Sequence, residues 1–135
     1  MKITIKSFFV LFFLYFLSTY KSNNLYAQDY SKVAGLYQAY SSGIPVDIQG
    51  MNMYYVFNKN GIIVVAFGSS SGRAFADVSG GIKSGRILTG KYSLSGNLLS
   101  VKMDKGETKI WRYKPSENSI ESSSGTISLK FIENL

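Results

Sequence analysis

A pattern of punctuation constrains this chain more than any single motif. From Gly35 onward, short runs rich in tyrosine, valine, isoleucine and phenylalanine are separated by clusters of glycine, asparagine and serine. The runs are "GLYQAY" (35–40), "MYYVFN" (53–58), "IIVVAF" (62–67), "RILTGKYSLS" (86–95), "LLSVKM" (98–103), "TKIWRYK" (108–114), "SIES" (119–122) and "TISLKFI" (126–132). "RAFADV" (73–78) reads as a further extended segment, and no helical period of ten residues or more stands out. Strands spaced roughly eight to twelve residues apart, with turn residues between them, predict an all-β sandwich or barrel. Asn60-Gly61 predicts a type I′ hairpin, whose two central positions both need positive φ. Gly96-Asn97, "DKGE" (104–107) and Pro115 to Asn118 supply further turns, so successive strands pair with their neighbours. The expectation is a small antiparallel up-and-down β-barrel of about eight strands.

Alternation within the runs sorts their side chains. Leu99, Val101 and Met103 share one face while Ser100 and Lys102 take the other. Ile127, Leu129 and Phe131 oppose Ser128 and Lys130 in the same way. "YYVF" and "IIVVAF" are apolar on both faces, which predicts a hairpin covered on its outer side as well. The segment 28–39, or a partner, is the expected cover.

The first 27 residues read as a separate unit. Lys2 and Lys6 precede an unbroken apolar run, Phe8 to Leu17, and a more polar stretch ends in "NLYAQ". This is the layout of a secretory signal peptide, with Ala27 before the cut and Gln28 as the new amino terminus. Leu25, three residues before the cut, is bulkier than that position usually holds. An uncleaved anchor is the alternative, but ten helical residues rise about 15 Å against roughly 30 Å of hydrocarbon. Residues 28–135 are then the single mature domain, periplasmic or extracellular, touching a membrane only through the signal before cleavage. Losing Lys2, Lys6 and Lys21 takes the 15 basic residues to 12 against 8 acidic ones, so the net charge falls from +7 to +4. Export argues against nucleic acid as a partner, and the mild positive charge suits anionic envelope polymers or plain solubility.

Two absences limit the chemistry. Without cysteine the domain has no disulfides and no lipid attachment point, so its stability must come from packing. Without histidine it cannot build Ser-His-Asp or Cys-His nucleophile systems or His-ligated zinc sites. A glycosidase needs two carboxylates facing each other across roughly 5–10 Å. Asp104 and Glu107 instead share one turn, and "DKGE" is too sparse for a calcium loop. No catalytic residue, metal site or cofactor is expected.

Gly35 with Tyr37, Phe57 with Gly61, and "G-x-Y-x-x-x-G-x-x-L" at Gly90, Tyr92, Gly96 and Leu99 together carry a resemblance. The chain resembles the small lipocalin-like, calycin-type domains of exported bacterial proteins. It is shorter than the true lipocalins and lacks their early Gly-x-Trp, its one tryptophan being Trp111. The resemblance implies an antiparallel barrel that binds something apolar, and it implies no catalytic residues.

Candidate binding residues come from two sources. Tyr55, Phe57, Tyr92, Trp111 and Tyr113 are aromatics on strands, suited to lining a pocket or simply to filling a barrel. Trp111 and Tyr113 share a strand face with Lys109, while Tyr54 and Tyr55 take opposite faces. "GSSSGR" (68–73) reads first as a slack hairpin loop and alternatively, with "SGGIKSG" (79–85), as a rim loop at a barrel mouth; Arg73, Lys83 and Arg86 flank these loops and are either solvated or able to meet an anionic group. Asp77 is an alternative partner for those cations. "GSSSGR" does not match a P-loop, which has four residues between its glycines, not three, before Lys-Ser or Lys-Thr. The expected role is non-catalytic binding of a small apolar or amphipathic ligand. The alternative is a protein–protein module of the cell envelope, or an inhibitor of a secreted enzyme, using the hairpin Met53 to Phe67.

Overall fold

The structure is a computed structural model that describes residues 30–69 and 72–134. The expected signal peptide at 1–27, its cleavage point, and residues 70–71 of the glycine- and serine-rich stretch lie outside them. A 3-10 turn (Tyr30–Lys32) leads into β1 (Gly35–Ser41), β2 (Ile44–Pro45), β3 (Asp47–Ile48), β4 (Met51–Phe57) and β5 (Ile62–Ser69). One helix, α1 (Ala74–Lys83), then precedes β6 (Ile87–Ser95), β7 (Leu98–Met103), β8 (Thr108–Lys114), β9 (Ser119–Ser122) and β10 (Ile127–Glu133). The helix is neither long nor apolar enough to cross a membrane.

Eight of the strands form a closed antiparallel barrel. The order β4-β5-β6-β7-β8-β9-β10-β1 follows the chain, and β1 pairs back onto β4. This is the up-and-down barrel that the turn spacing predicts. Closure along the β1–β4 seam is partial: Gly35–Gln38 pair with Tyr54–Phe57, and beyond them the two strands separate. The short β2 and β3 fill the gap, β2 pairing with Tyr40 and Ser41 and β3 with Met51 and Asn52. Both lie in the 41–50 stretch, which the sequence pattern does not mark as strand.

Alternation carries one side chain of each pair inward. Tyr37, Phe57, Ile63, Tyr92, Leu99, Val101, Trp111, Tyr113, Ile120 and Leu129 are buried in one interior cluster. At one end of the barrel this cluster is solid. Tyr37 packs edge-to-face on Phe57 at 5.4 Å and on Phe131 at 5.5 Å, and Phe57 meets Tyr92 at 5.1 Å. The 3-10 turn seals that end, with Tyr30 against Tyr92 at 5.0 Å and Lys32 Nζ donating to the Gly96 carbonyl at 3.1 Å. Such aromatic pairs contribute roughly 0.5–1.5 kcal/mol each beyond the area they bury.

A second cluster lies outside the barrel wall. Leu36, Tyr54, Val56, Ile62, Val64 and Ala66 on β1, β4 and β5 are covered by Val78 and Ile82 of α1. The cover that the two-sided apolar hairpin requires is therefore the helix, not segment 28–39. This corrects the reading of "RAFADV" as a strand, of "SGGIKSG" as a loop, and of the chain as lacking a ten-residue helix. Ala74, Val78 and Ile82 are spaced at four residues, which makes a helical stripe. Gly85, at φ +72°, ends α1: Arg86 N–H bonds the Gly81 carbonyl at 2.8 Å and Gly85 N–H the Ile82 carbonyl at 3.1 Å. That is the Schellman stop. The glycines that hid the helix have a packing reason. A Cβ on Gly81 would sit 2.4 Å from the Phe67 carbonyl oxygen, and one on Gly68 would sit 2.0 Å from that of Asp77. Glycine costs about 1 kcal/mol in a helix interior, yet it lets α1 lie directly on the β5 backbone.

The β4–β5 connection also differs from expectation. Among residues 58–61 positive φ occurs at Gly61 alone, so a type I′ turn is excluded. Gly61 N–H bonds the Asn58 carbonyl at 3.1 Å, and Asn58 N–H bonds the Ile62 carbonyl at 2.9 Å. The result is a longer loop with one left-handed glycine.

Candidate functional site

The other end of the barrel is not filled. Two overlapping hollows of ≈ 370 Å³ and ≈ 680 Å³ share Met53, Tyr55, Lys109 and Trp111 as walls. The smaller runs toward the β7–β8 loop past Val65, Leu88, Val101 and Met103. The larger runs toward the β9–β10 loop past Val46, Ser122, Thr126 and Ile127. The backbone explains the space. β9 pairs with β8 from Trp111 to Lys114, so Thr108–Ile110 have no β9 strand beside them. At the same end β1 and β4 diverge around β2 and β3. A barrel that parts in two places cannot close its side chains over the middle.

Tyr55 and Trp111 form the floor, with ring centroids 5.7 Å apart, and Tyr55 stacks on Phe57 at 6.4 Å beneath it. Burial pushes the Tyr55 phenol up to about 12. It keeps its proton well beyond the pH at which an ordinary tyrosine ionises. Lower in the barrel, burial raises Tyr37 and Tyr92 further still, with neighbouring tyrosines adding to the effect. Their hydroxyls are spent on structure: Tyr37 donates to the Val33 carbonyl at 2.8 Å, and Tyr92 to the Asn58 carbonyl.

The candidate residues thus divide three ways. Tyr55 and Trp111 line the cavity together. Phe57, Tyr92 and Tyr113 belong to the packed interior below it, Phe57 being 1% exposed. Arg73 and Arg86 flank α1 instead: Arg73 stands at its N-cap without a side-chain capping bond, and Arg86 Nε donates to the Phe67 carbonyl at 3.2 Å. The two arginines do not line either hollow. Asp77 is on the buried face of α1, where it accepts from the Tyr54 hydroxyl at 2.9 Å and from Ser69 Oγ at 3.3 Å. Burial, first, and the contact with Asp77 push the Tyr54 phenol up to about 12, Asn52 opposing.

Sequence reasoning did not single out Met53, Leu88, Met103 or Ile127 as cavity residues. Alternation places all four on inward rows. What it lacks is the knowledge of which inward positions stay uncovered, because that depends on where β9 stops and β1 leaves β4. Asp104 and Glu107 remain in one loop, with the Asp104 carboxylate accepting from the Thr89 hydroxyl. No family model and no curated protein matches this sequence.

Proposed function

We propose that this chain is an exported, non-catalytic binding protein that holds a small apolar or amphipathic ligand in the open half of a lipocalin-like barrel. The observation that carries the reading is the change of interior along one barrel. Interlocked aromatics at one end give way, at Tyr55 and Trp111, to hollows of ≈ 370 Å³ and ≈ 680 Å³ at the other. Such volumes fall in the range of small-molecule sites, roughly 300–1,000 Å³, and their mostly apolar walls with a few polar groups fit the same class. The rival reading, a protein-binding module, relied on the outer face of the Met53–Phe67 hairpin. That face lies under Val78 and Ile82 of α1, which favours the pocket.

The test is native mass spectrometry of protein recovered gently from the envelope fraction, followed by titration with short-chain amphiphiles while Trp111 emission is read. Trp111 is the single tryptophan, so any change in emission reports on the cavity floor. A small molecule released on denaturation, or a saturable emission change, supports the reading. Empty protein whose emission no amphiphile alters sinks it.

A further inference from the structure

The open half carries one feature that a purely apolar pocket does not need. Lys109 stands directly opposite Val101 on β7, and Trp111 stands opposite Leu99. Val101 and Leu99 belong to the interior cluster, and directly opposed residues of an antiparallel pair share a face, so Lys109 is on the inward row. Among the described residues, the other charges on the middle strands face out: Lys91 pairs with Lys102, and Arg112 with Leu98 and Glu121. In the open half of the barrel the inward rows carry this one charge. Its side chain lines both hollows, two residues along the strand from Trp111.

A lysine near a rim ordinarily turns its ammonium to water. Lys109 differs in its surroundings. The larger hollow is lined by no carboxylate, and Thr108, Ser122, Ser124 and Thr126 share its wall with Lys109. Ser122, Ser124 and Thr126 form a chain of hydroxyl contacts at 3.3 and 2.8 Å. In the smaller hollow Lys105 stands with it against the one acid, Glu107, so the balance stays positive. A hollow whose wall carries a lysine and several hydroxyls, over a floor of Tyr55 and Trp111, is a place for an anionic head on an apolar body.

Resting on the pocket reading, we infer that the ligand is a monoanionic amphiphile. Its carboxylate-type head meets Lys109 and the Ser122–Thr126 hydroxyls, and its apolar body lies on Tyr55, Met53 and Trp111. A cationic amphiphile is disfavoured by the same charge, and a neutral one loses the charge-assisted bond.

Decanoate, decanol and decylamine, alike in chain length and different in charge, are titrated into the purified protein by calorimetry and Trp111 emission. The same is done for Lys109→Gln and Lys109→Met. Lys109 is exposed, so both variants should fold, which thermal melting verifies. Decanoate should bind at least about tenfold tighter than decanol, the preference vanishing in both variants while decanol affinity stays put. Equal affinity for decanoate and decanol, tighter binding of decylamine, or a preference that survives both substitutions overturns the inference and leaves the pocket reading standing. If none of the three binds, both fall.

Discussion

The two halves of this barrel are built by the same strands from the same kinds of residue, yet they do opposite things with them. At the sealed end Tyr37, Phe57, Tyr92 and Phe131 meet edge-to-face and the 3-10 turn plugs what remains. At the open end Tyr55 and Trp111 are comparable aromatics, but above them lie the hollows and partly buried aliphatic side chains such as Val46, Met53 and Ile127. The difference lies in backbone pairing, not in composition. Where every strand has two partners, inward rings converge; where β9 stops early and β1 leaves β4, they line a space instead. Close packing and open space are thereby assigned to separate stretches of the same strands.

Alkali should separate the halves most strongly. Tyr37 and Tyr92 of the sealed half hold their protons more tightly than Tyr55 of the open half, and all three more tightly than in the unfolded chain, because burial disfavours the phenolate. A raised folded pKa means that stability is intact below the unfolded value of about 10 and is lost as pH climbs beyond it. Each such tyrosine withdraws up to about 1.4 kcal/mol per pH unit over that window, so the fold should fail by about pH 12. Urea denaturation at stepped pH measures this. Stability unchanged between about pH 10 and 12 would show that the sealed aromatics are not holding protons as described.

Among substitutions, Phe57→Ala should cost most, about 3–5 kcal/mol, because it opens a void among rings that cannot collapse. Gly81→Val comes next, at about 2–3 kcal/mol, since its side chain meets the Phe67 carbonyl and lifts α1 from β5. A drop in helical circular dichroism should accompany that loss, and its absence would mean the helix has another seat. Tyr54→Phe removes the donor to Asp77 under the helix and should cost about 1–3 kcal/mol. Met53→Ala should cost least, about 1 kcal/mol, because its side chain is half-buried and already borders empty space. If Met53→Ala proved as damaging as Phe57→Ala in chemical denaturation, the contrast between the halves would be wrong.

The barrel itself was legible in the sequence because its signals are local. β7 (98–103), β8 (108–114) and β9 (119–122) match the residues read from alternation and turn chemistry. The helix was not, because Gly80, Gly81 and Ser79 look like loop until the carbonyl of Phe67 is seen pressed against Gly81. Its stop at Gly85 and its stripe of Ala74, Val78 and Ile82 were readable signals outweighed by those glycines. β2 and β3 are two residues each, too short for any periodicity. Within the site, inward rows were legible but depth was not. Nothing in one strand says whether an inward tyrosine sits under packed rings, as Tyr92 does, or under a void, as Tyr55 does.

The insertion between β1 and β4 works like the gusset in a seam. Four residue pairs stitch the lower edge shut, and above them a short ribbon at 44–48 takes up the slack. The turns at its ends, with Gly43 at φ +79° and Gly50 at φ +80°, have nothing within 4 Å of where a side chain would start. Residues could be added or removed there without disturbing a single contact in the sealed end. A lineage carrying this fold is free to retailor the width of its aperture while leaving the part that folds untouched.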